Sequence, residues 1–267
     1  YSIRKGTKVV CDRAFCLCSS LTEIVIPNSV ASIGDSAFLG CISLTEIVIP
    51  NSVICLNGNP FIGWKGKLEC LSPSFVYEDN ILFNKDKSRI ISFRNQKLTL
   101  YVISNSVTSI GDSAFYDSRS LSNIVIPNSV TSIGDSAFSF CSSLKYISIP
   151  KSVICLNGNP FAEWNGKLEC LSPNYIYEDD ILFNKDKSRI ISFRNQNIES
   201  YVIPSSVTSI GDRAFWNCRS LSEIVIPSSV TSIGDRAFLG CSFPNNLRQE
   251  LISRFGDKIF SFILNIF

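Results

Sequence analysis

The sequence of 267 residues contains no histidine and no methionine. The absence of histidine excludes Ser-His-Asp and Cys-His catalysis, histidine-ligated zinc and haem with a proximal histidine. Without methionine, Tyr1 is not a translational start, so we expect a processed product or a segment of a longer chain.

Charge and long apolar runs are also scarce. Charged residues make up 18% of the chain, and 25 basic side chains nearly balance 23 acidic ones, so neither a nucleic acid nor an anionic membrane is an expected partner. The apolar stretch 259–267 is interrupted by Asn265 and is shorter than the roughly 20 residues of a membrane-spanning helix. We therefore expect no membrane insertion in this segment and interpret the stretch as part of a terminal cap. The remnant of a removed anchor is the alternative.

An internal repeat dominates the rest of the sequence. The unit LTEIVIPNSVASIGDSAFLGCIS begins at Leu21 and has a period of 23 residues. Twice the unit continues into an insertion, which we interpret as a 24-residue variant followed by a 30-residue unit, so that the pattern recurs after 100 residues. Units begin near 21, 44, 68, 98, 121, 144, 168, 198 and 221. Such periods with fixed aliphatic positions are typical of leucine-rich repeat solenoids.

The alternation in LTEIVI predicts a strand. Ile24 and Ile26 point to one side, whereas Glu23 and Val25 point to the other. Pro27 lacks a backbone N–H and ends the strand. Because a single coil cannot bury its own aliphatic side chains, stability must come from stacking the coils.

The second half of the unit predicts a tight turn. We expect Gly34 to permit the turn and Asp35 to cap a short helical turn over residues 36–38. Phe38 is the large core residue, and the small Cys41 closes the coil.

The predicted fold is therefore a repeat solenoid over residues 1–242, a right-handed superhelix with one continuous interior. Short parallel strands are expected on its concave face, and turns, short strands and 3-10 turns on its convex side. Two hairpins near 81–93 and 181–193 are expected to protrude from one flank. Residues 243–267 are predicted to form a capping helix, with Asn245 or Asn246 as its cap and an apolar face formed by Leu247, Leu251, Ile252 and Phe255.

The units resemble the BspA-type, or Treponema-type, leucine-rich repeats. The family pattern LxxIxIPxSVxxIGxxAFxxCxxL is similar to the units at Leu21, Leu98, Leu121 and Leu221 almost position by position, and the GNPF segments at 58–61 and 158–161 resemble a variant of that family. The resemblance implies a curved solenoid on a surface or secreted protein. It also implies binding of matrix or plasma proteins, or of other cells, as adhesins do.

The 11 cysteines admit more than one interpretation. Five share one repeat position, which Ser118, Trp64 and Trp164 also occupy, and this range of residues favours an inward packing position. The five are Cys18, Cys41, Cys141, Cys218 and Cys241. Buried thiols are the preferred interpretation, and disulfides remain the alternative.

A catalytic or metal site is not predicted. Catalysis needs a unique convergent set of groups, whereas the polar residues here recur from unit to unit. Glu78-Asp79 and Glu178-Asp179-Asp180 lack the ligand spacing of a calcium loop. We expect no enzyme activity, no metal and no cofactor.

The outward strand positions are the candidate binding residues. They are Glu23, Val25, Glu46, Val48, Leu100, Val102, Asn123, Val125, Tyr146, Ser148, Val202, Glu223 and Val225. Exposed valines in a row indicate an interaction surface, although valine also simply favours strands. The basic hairpin residues, such as Lys87 and Arg94, are expected to be solvated, with an acidic partner as the alternative.

We therefore predict a non-catalytic, cell-surface or extracellular binding module that engages a protein or glycoprotein, such as a host matrix protein, through the concave sheet. The alternative is a structural spacer or stalk within a larger surface protein.

Overall fold

The computed structural model describes residues 1–261 as a solenoid of stacked coils, which confirms the predicted fold class. Each regular coil has three sides. The first is the strand face, formed by segments such as Glu46–Ile49. The second is the hairpin face, formed by short strands such as Ser32–Ile33 and by the two hairpins. The third is the turn edge, formed by the six or so residues that follow each conserved aspartate, such as 36–41.

Residues 1–261 contain 22 strands, which are numbered in chain order. They are β1 Val9–Val10, β2 Ser32–Ile33, β3 Glu46–Ile49, β4 Cys55–Leu56, β5 Lys67–Cys70, β6 Phe75–Glu78, β7 Ile81–Asn84, β8 Arg89–Phe93, β9 Leu100–Val102, β10 Ser109–Ile110, β11 Asn123–Val125, β12 Ser132–Ile133, β13 Tyr146–Ile149, β14 Cys155–Leu156, β15 Lys167–Cys170, β16 Tyr175–Glu178, β17 Ile181–Asn184, β18 Arg189–Phe193, β19 Ser200–Val202, β20 Ser209–Ile210, β21 Glu223–Val225 and β22 Ser232–Ile233. The helix α1 spans Asn245–Phe255, and a 3-10 turn spans Asp257–Ile259.

In the described part of the chain, the strand face contains four parallel pairs, β3-β5, β9-β11, β13-β15 and β19-β21, and an isolated parallel bridge between Ser2 and Val25. The isoleucines of the LxxIxI pattern point inward, and Ile47 and Ile147 are completely buried. Leu68 lies opposite Ile47, which is three residues into its unit. The inserted unit at 68 therefore begins near residue 65, and the one at 168 begins near residue 165.

The hairpin face consists of three sheets with the strand orders β1-β2-β4, β14-β12-β10-β8-β7-β6 and β16-β17-β18-β20-β22. The prediction that the hairpins protrude is wrong. Leu82 is completely buried and Ile91 is 5% exposed, because β7 and β8 are built into the sheet and β8 pairs in parallel with β10 of the next coil.

The connection between β6 and β7 is a two-residue turn at Asp79 and Asn80, whose φ angles are 49° and 60°. Two successive positive φ angles define the type I′ turn that best joins twisted antiparallel strands. The acidic residues at 78–79 therefore belong to a hairpin turn. The loop that connects β7 and β8, residues 84–88, is closed by the Asn84 carboxamide, which accepts the backbone N–H of Arg89 at 2.8 Å.

The turn edge contradicts the predicted helical turn. Ser36 has a φ of 55°, which is outside right-handed helix, so Asp35 caps no helix. Its carboxylate instead accepts the backbone N–H of Asn59 in the next coil at 2.9 Å, and the Asp12 carboxylate accepts the N–H of Asp35 at 2.8 Å. The aspartates thus form a ladder between coils. Gly34 is needed for close approach, since a Cβ there would lie 2.3 Å from the backbone nitrogen of Asp12.

The hairpin units act as wedges. Each adds three strands to the hairpin face, so that this face has 14 strands within residues 1–261. Neither unit adds a turn to the turn edge, where the Asn59 side-chain amide donates directly to the Ser113 carbonyl at 2.9 Å. The turn edge therefore has eight such turns in the described part of the chain. They begin at Asp12, Asp35, Asn59, Asp112, Asp135, Asn159, Asp212 and Asp235.

Because neighbouring strands lie about 4.8 Å apart, a side with more strands is longer, and the solenoid bends toward the turn edge. Residues from the two ends of this edge, Arg13 and Arg236, line one groove. The turn edge is thus the inner side of the bend. The prediction that the strands line the concave face is wrong, because it did not count the strands that the insertions add.

The interior is divided into three clusters rather than the predicted continuous core. Within each cluster the phenylalanines stack, as Phe38 does on Phe15 at a centroid distance of 5.7 Å. The hairpins form the partitions, since Leu82 and Ile91 belong to the first cluster while Phe83 belongs to the second.

Arg94 seals the first partition and is not the solvated hairpin residue that was predicted. Its guanidinium lies 4.5 Å from the ring centroid of Trp64 and donates to the Gly66 carbonyl at 2.8 Å. Burial lowers the pKa of Arg94. Arg194 makes the equivalent contacts with Trp164 and Gly166 at the second partition. The guanidinium and the aromatic ring thus join each hairpin to the coil before it.

The C-terminal helix covers the last coil. Leu251 is 1% exposed and packs in the third cluster, with Leu247, Ile252 and Phe255 partly buried beside it. The predicted asparagine cap is wrong, because Pro244 precedes the helix and no side chain caps it. After the helix, the Ile259 carbonyl accepts the backbone N–H of Phe238 at 3.0 Å. Residues 262–267 of the predicted cap lie outside the described residues.

Candidate functional site

The structure leaves most of the outward strand positions in solvent. The exposed members are Glu23, Val25, Glu46, Leu100, Val102, Asn123, Val125, Tyr146, Val202, Glu223 and Val225. Val48 and Ser148 are half-buried. Among the valines, Val102 is 60% exposed and Val202 63%. Their side chains therefore contribute little to the core.

The register joins these residues into two equivalent apolar patches. Val102 lies directly opposite Val125, and Val202 lies opposite Val225. Neighbouring strands lie about 4.8 Å apart, so each pair forms one contiguous surface. We name these pairs the first valine patch (Val102 and Val125) and the second valine patch (Val202 and Val225).

The valine row is not continuous, because the inserted units place acidic residues in it. Glu69 lies opposite Val48, and Glu169 lies opposite Ser148. The Ser148 hydroxyl donates to the Glu169 carboxylate at 2.8 Å, and the Tyr146 hydroxyl donates to the same carboxylate. The hydrogen bond from Tyr146 is the main cause that lowers the pKa of Glu169.

Lys67 and Lys167 complete the neighbouring row. Lys67 lies opposite Glu46 and forms an ion pair with it, and the hydrogen bond in this pair raises the pKa of Lys67. Sequence reasoning missed these two lysines and the two glutamates. Their signal was the alternating segment KLEC at 67–70 and 167–170, which carries the inward Leu and Cys of a strand.

The turn edge contains a second candidate site. A groove of about 560 Å³ runs along it and is lined by residues from Arg13 to Arg236. Tyr116, Phe140 and Trp216 supply aromatic surface, and Phe140 packs edge-on against Tyr116 at 5.2 Å between centroids. Sequence reasoning missed this site, because the residues come from coils that meet only after the solenoid bends.

Charged groups in the groove are partly desolvated. Burial raises the pKa of Asp35 and of Asp135, although the Arg213 guanidinium, which pairs with Asp135, opposes the shift. Arg213 also lies over the Trp216 ring, 5.6 Å from its centroid. The groove therefore combines carboxylates, arginine and aromatic faces in one concave surface.

The cysteines are all present as free thiols. Cys41, Cys141, Cys218 and Cys241 are buried, as the packing interpretation predicts, whereas Cys18 is exposed. Burial raises the pKa of Cys41 to about 11 and that of Cys141 to about 12. Within residues 1–261, no group of three or more Cys, Asp or Glu side chains is placed to hold a metal ion. In the same part of the chain, no helix has the length and apolarity that crossing a membrane requires.

The comparison with protein families identifies the repeat. The model described as "BspA type Leucine rich repeat region (6 copies)" matches residues 2–85, 89–177 and 189–266. The chain therefore belongs to the BspA-type leucine-rich repeat family, as its sequence pattern suggests.

Solved structures show the same fold. A leucine-rich cell surface protein from Faecalibacterium prausnitzii is 26% identical over 91% of this chain and 67% of that chain, with a TM-score of 0.52. A leucine-rich repeat protein from Eubacterium ventriosum is 21% identical over 91% of this chain and 83% of that chain, with a TM-score of 0.53. No curated protein matches the chain.

Proposed function

We propose that this chain is a non-catalytic binding module of a cell-surface or secreted protein and that it engages a protein or glycoprotein through the strand face. The family and the similar cell surface protein from Faecalibacterium prausnitzii support the location. The observation that carries the proposal is the pair of valine patches, which place apolar side chains in solvent, as interaction surfaces do.

The geometry of the strand face supports one kind of partner. Along the strand face the rows follow in the order Val102, Val125, Ser148, Glu169 and Val202. The carboxylate of Glu169 lies between them. The complementary partner is an extended protein segment with one basic group and an apolar group on each side of it. Two weak contacts on one partner would add through their effective concentration.

Charge substitutions in the two patches test this proposal. One variant carries Val102→Asp and Val125→Asp, a second carries Val202→Asp and Val225→Asp, and a third combines all four. The control is Ile54→Asp, because Ile54 is 69% exposed and lies off the strand face. Binding to immobilised matrix proteins, plasma proteins and glycoproteins is measured by surface plasmon resonance.

We expect each double variant to weaken binding at least tenfold, the fourfold variant to abolish it and the control to leave it unchanged. Loss of avidity explains why either patch alone matters. The proposal is contradicted if no probe binds the parent chain, or if the fourfold variant binds as well as the control.

The groove on the turn edge is a second candidate surface for the same function. Trp, Tyr and Arg are the residues most enriched at binding hot spots, and the groove combines Trp216, Tyr116 and Arg213. Its test is Phe140→Ser, which removes an aromatic ring that is 38% exposed. If this substitution weakens binding and the valine substitutions do not, the partner binds in the groove.

The spacer function remains the alternative. Deletion of residues 98–197 removes one 100-residue period and leaves the units in register, since 81–96 and 181–196 are identical. A spacer would tolerate this deletion with a shorter reach and unchanged binding by its neighbouring domains. A binding module would lose the first valine patch and with it most of its avidity.

A further inference from the structure

Three buried thiols make the same contact with the coil before them. The sulfur of Cys41 lies 3.0 Å from the Phe15 carbonyl oxygen, that of Cys141 lies 3.0 Å from the Phe115 carbonyl oxygen, and that of Cys241 lies 3.2 Å from the Phe215 carbonyl oxygen. The sulfur in each case therefore reaches across to the backbone of the preceding coil.

The same carbonyl oxygens identify the residue that each sulfur meets. The Phe15 carbonyl also accepts the backbone N–H of Cys18 at 3.1 Å, and the Phe215 carbonyl accepts that of Cys218 at 3.2 Å. Two donors that share one carbonyl oxygen at about 3 Å lie within about 6 Å of each other. The sulfur of Cys41 is thus adjacent to Cys18, and the sulfur of Cys241 is adjacent to Cys218.

The coils are held in a register that suits a covalent link. Phe15 donates its N–H to the Ala37 carbonyl at 2.9 Å, and Phe215 donates to the Ala237 carbonyl at 2.8 Å. Residues at one repeat position in such neighbours are about 4.8 Å apart, within the roughly 4.4–6.8 Å between Cα atoms of a disulfide.

We propose that Cys18–Cys41 and Cys218–Cys241 are sites of disulfide formation between neighbouring coils. The first pair lies at the N-terminal end of the solenoid, and the second lies in the last two coils before the capping helix. Terminal coils of a solenoid have only one neighbouring coil and open first. A covalent link at each end holds the coils that are most prone to separate.

The chemistry is thiol–disulfide exchange with a small disulfide such as oxidised glutathione. The Cys18 thiolate attacks one sulfur of the oxidant, which breaks the oxidant's S–S bond and releases one glutathione thiolate. The Cys41 thiolate then attacks the Cys18 sulfur and expels the second glutathione. In total two cysteine thiols lose two protons and two electrons, and the oxidant becomes two thiols.

Exposure sets the order of the two reactions. Cys18 is exposed and Cys41 is buried, so the oxidant reaches Cys18 in the folded chain. Cys218 and Cys241 are both buried, so they react during folding or when the last coils open. The first pair therefore forms in folded protein, and the second requires refolding in the oxidant.

The chain contains its own control at the middle position. The sulfur of Cys141 makes the same contact with Phe115, but its neighbour is Ser118. The Ser118 hydroxyl is buried without a hydrogen-bond partner, so a thiol fits this position at least as well. The substitution Ser118→Cys should create a third pair.

The test uses the full chain in a glutathione redox buffer, with free-thiol titration after unfolding and mass-spectrometric mapping of non-reduced peptides. We expect the 11 free thiols to fall by two in folded protein, through a Cys18–Cys41 link. Refolding in the buffer should remove two more, through a Cys218–Cys241 link. Ser118→Cys should add a link to Cys141 under refolding conditions, and Cys41→Ser should remove only the first link.

Reduction should lower the melting temperature of the oxidised chain by several degrees, with no such change in the Cys41→Ser and Cys241→Ser double variant. Circular dichroism shows that each variant is folded. Retention of all free thiols after refolding, or links among the exposed cysteines in place of the two named pairs, overturns the proposal. The proposal rests on the rule that cysteines at this repeat position in neighbouring coils lie close enough to link. If Cys218–Cys241 forms but the Ser118→Cys variant forms no link to Cys141, this rule is overturned.

Discussion

The two hairpin units have identical sequences over 81–96 and 181–196, and Arg94 and Arg194 join them to the preceding coils in the same way, yet the turns that flank each unit meet through different contacts. At the first unit, Lys65 forms an ion pair with Asp117 at 3.2 Å. At the second, the side-chain amide of Asn217 donates to Glu163 at 3.1 Å. The comparison shows that the same hairpin fold is compatible with different joints, that is, with different contacts between the turns that flank each unit.

A second difference concerns the edge of the sheet. Tyr175 accepts the backbone N–H of Leu156 at 2.8 Å and donates to the Ile154 carbonyl at 3.1 Å. Its hydroxyl therefore bridges the gap between β14 and β16, which belong to different sheets. Phe75 occupies the equivalent position in the first unit and has no hydroxyl to do so. The same backbone gap is thus closed in one unit by a side chain that the other lacks.

The largest expected effect concerns the core of the two hairpins, whose sequences are identical. Leu82→Ala and Leu182→Ala each remove a completely buried side chain, so each should lower the free energy of unfolding by about 2–5 kcal/mol. Because the surroundings repeat, the two losses should agree within about 1 kcal/mol. Urea unfolding measures both, and a clear inequality would show that the joints also determine the hairpin core.

The arginines at the partitions come next. Arg94→Ala and Arg194→Ala each remove a stacked, hydrogen-bonded guanidinium. Each should lower the free energy of unfolding by about 2 kcal/mol. The loss should be somewhat larger at Arg94, which also lies 5.8 Å from the Phe61 ring centroid. Arg94→Lys is the matched control. It keeps the charge but not the planar donor group, so it should restore little stability; full restoration would contradict the role given to stacking.

The sheet edge should show a smaller and asymmetric effect. Tyr175→Phe removes both hydrogen bonds of one hydroxyl and should lower the free energy of unfolding by about 1 kcal/mol. Phe75→Tyr makes the reciprocal change in the first unit and should leave stability unchanged or raise it. Thermal unfolding of the two variants checks this, and an equal loss in both would argue against the bridging role of the hydroxyl.

Alkaline pH should reveal the smallest effect. Burial raises the pKa of Tyr101 and of Tyr201 to about 12, above the value near 10 of an unfolded tyrosine. The stability that these phenols contribute is complete below pH 10 and is lost as the pH rises from about 10 to about 12. Urea unfolding at pH 8 and pH 11 measures the loss. Tyr101→Phe should make the pH dependence shallower, and an unchanged slope would contradict the assignment.

Much of the fold could be predicted from the sequence because a period of 23 residues repeats the same physical constraints in every coil. The alternation in LTEIVI placed Ile24 inside and Val25 outside, as the structure has them. The prediction of a helical turn after Asp35 was wrong, because it considered only neighbours in sequence. Asp35 followed by Ser36 has the composition of a helix cap, but the N–H that the aspartate binds belongs to Asn59 in another coil.

The candidate site was only partly visible in the sequence. The outward valines could be named from alternation alone, but their interruption by Glu69 and Glu169 depends on the register of the inserted strands. The groove could not be found at all, since Tyr116 and Trp216 are 100 residues apart and line one surface only in the bent solenoid.

The sequence by itself determined which side chains face inward and that the coils stack, because a single coil cannot bury its apolar side chains without a neighbouring coil. The tertiary structure decided the direction of the bend. That direction depends on how many strands each insertion adds to each side of the stack, and three strands on the hairpin face against no turn on the turn edge make the turn edge the inner side.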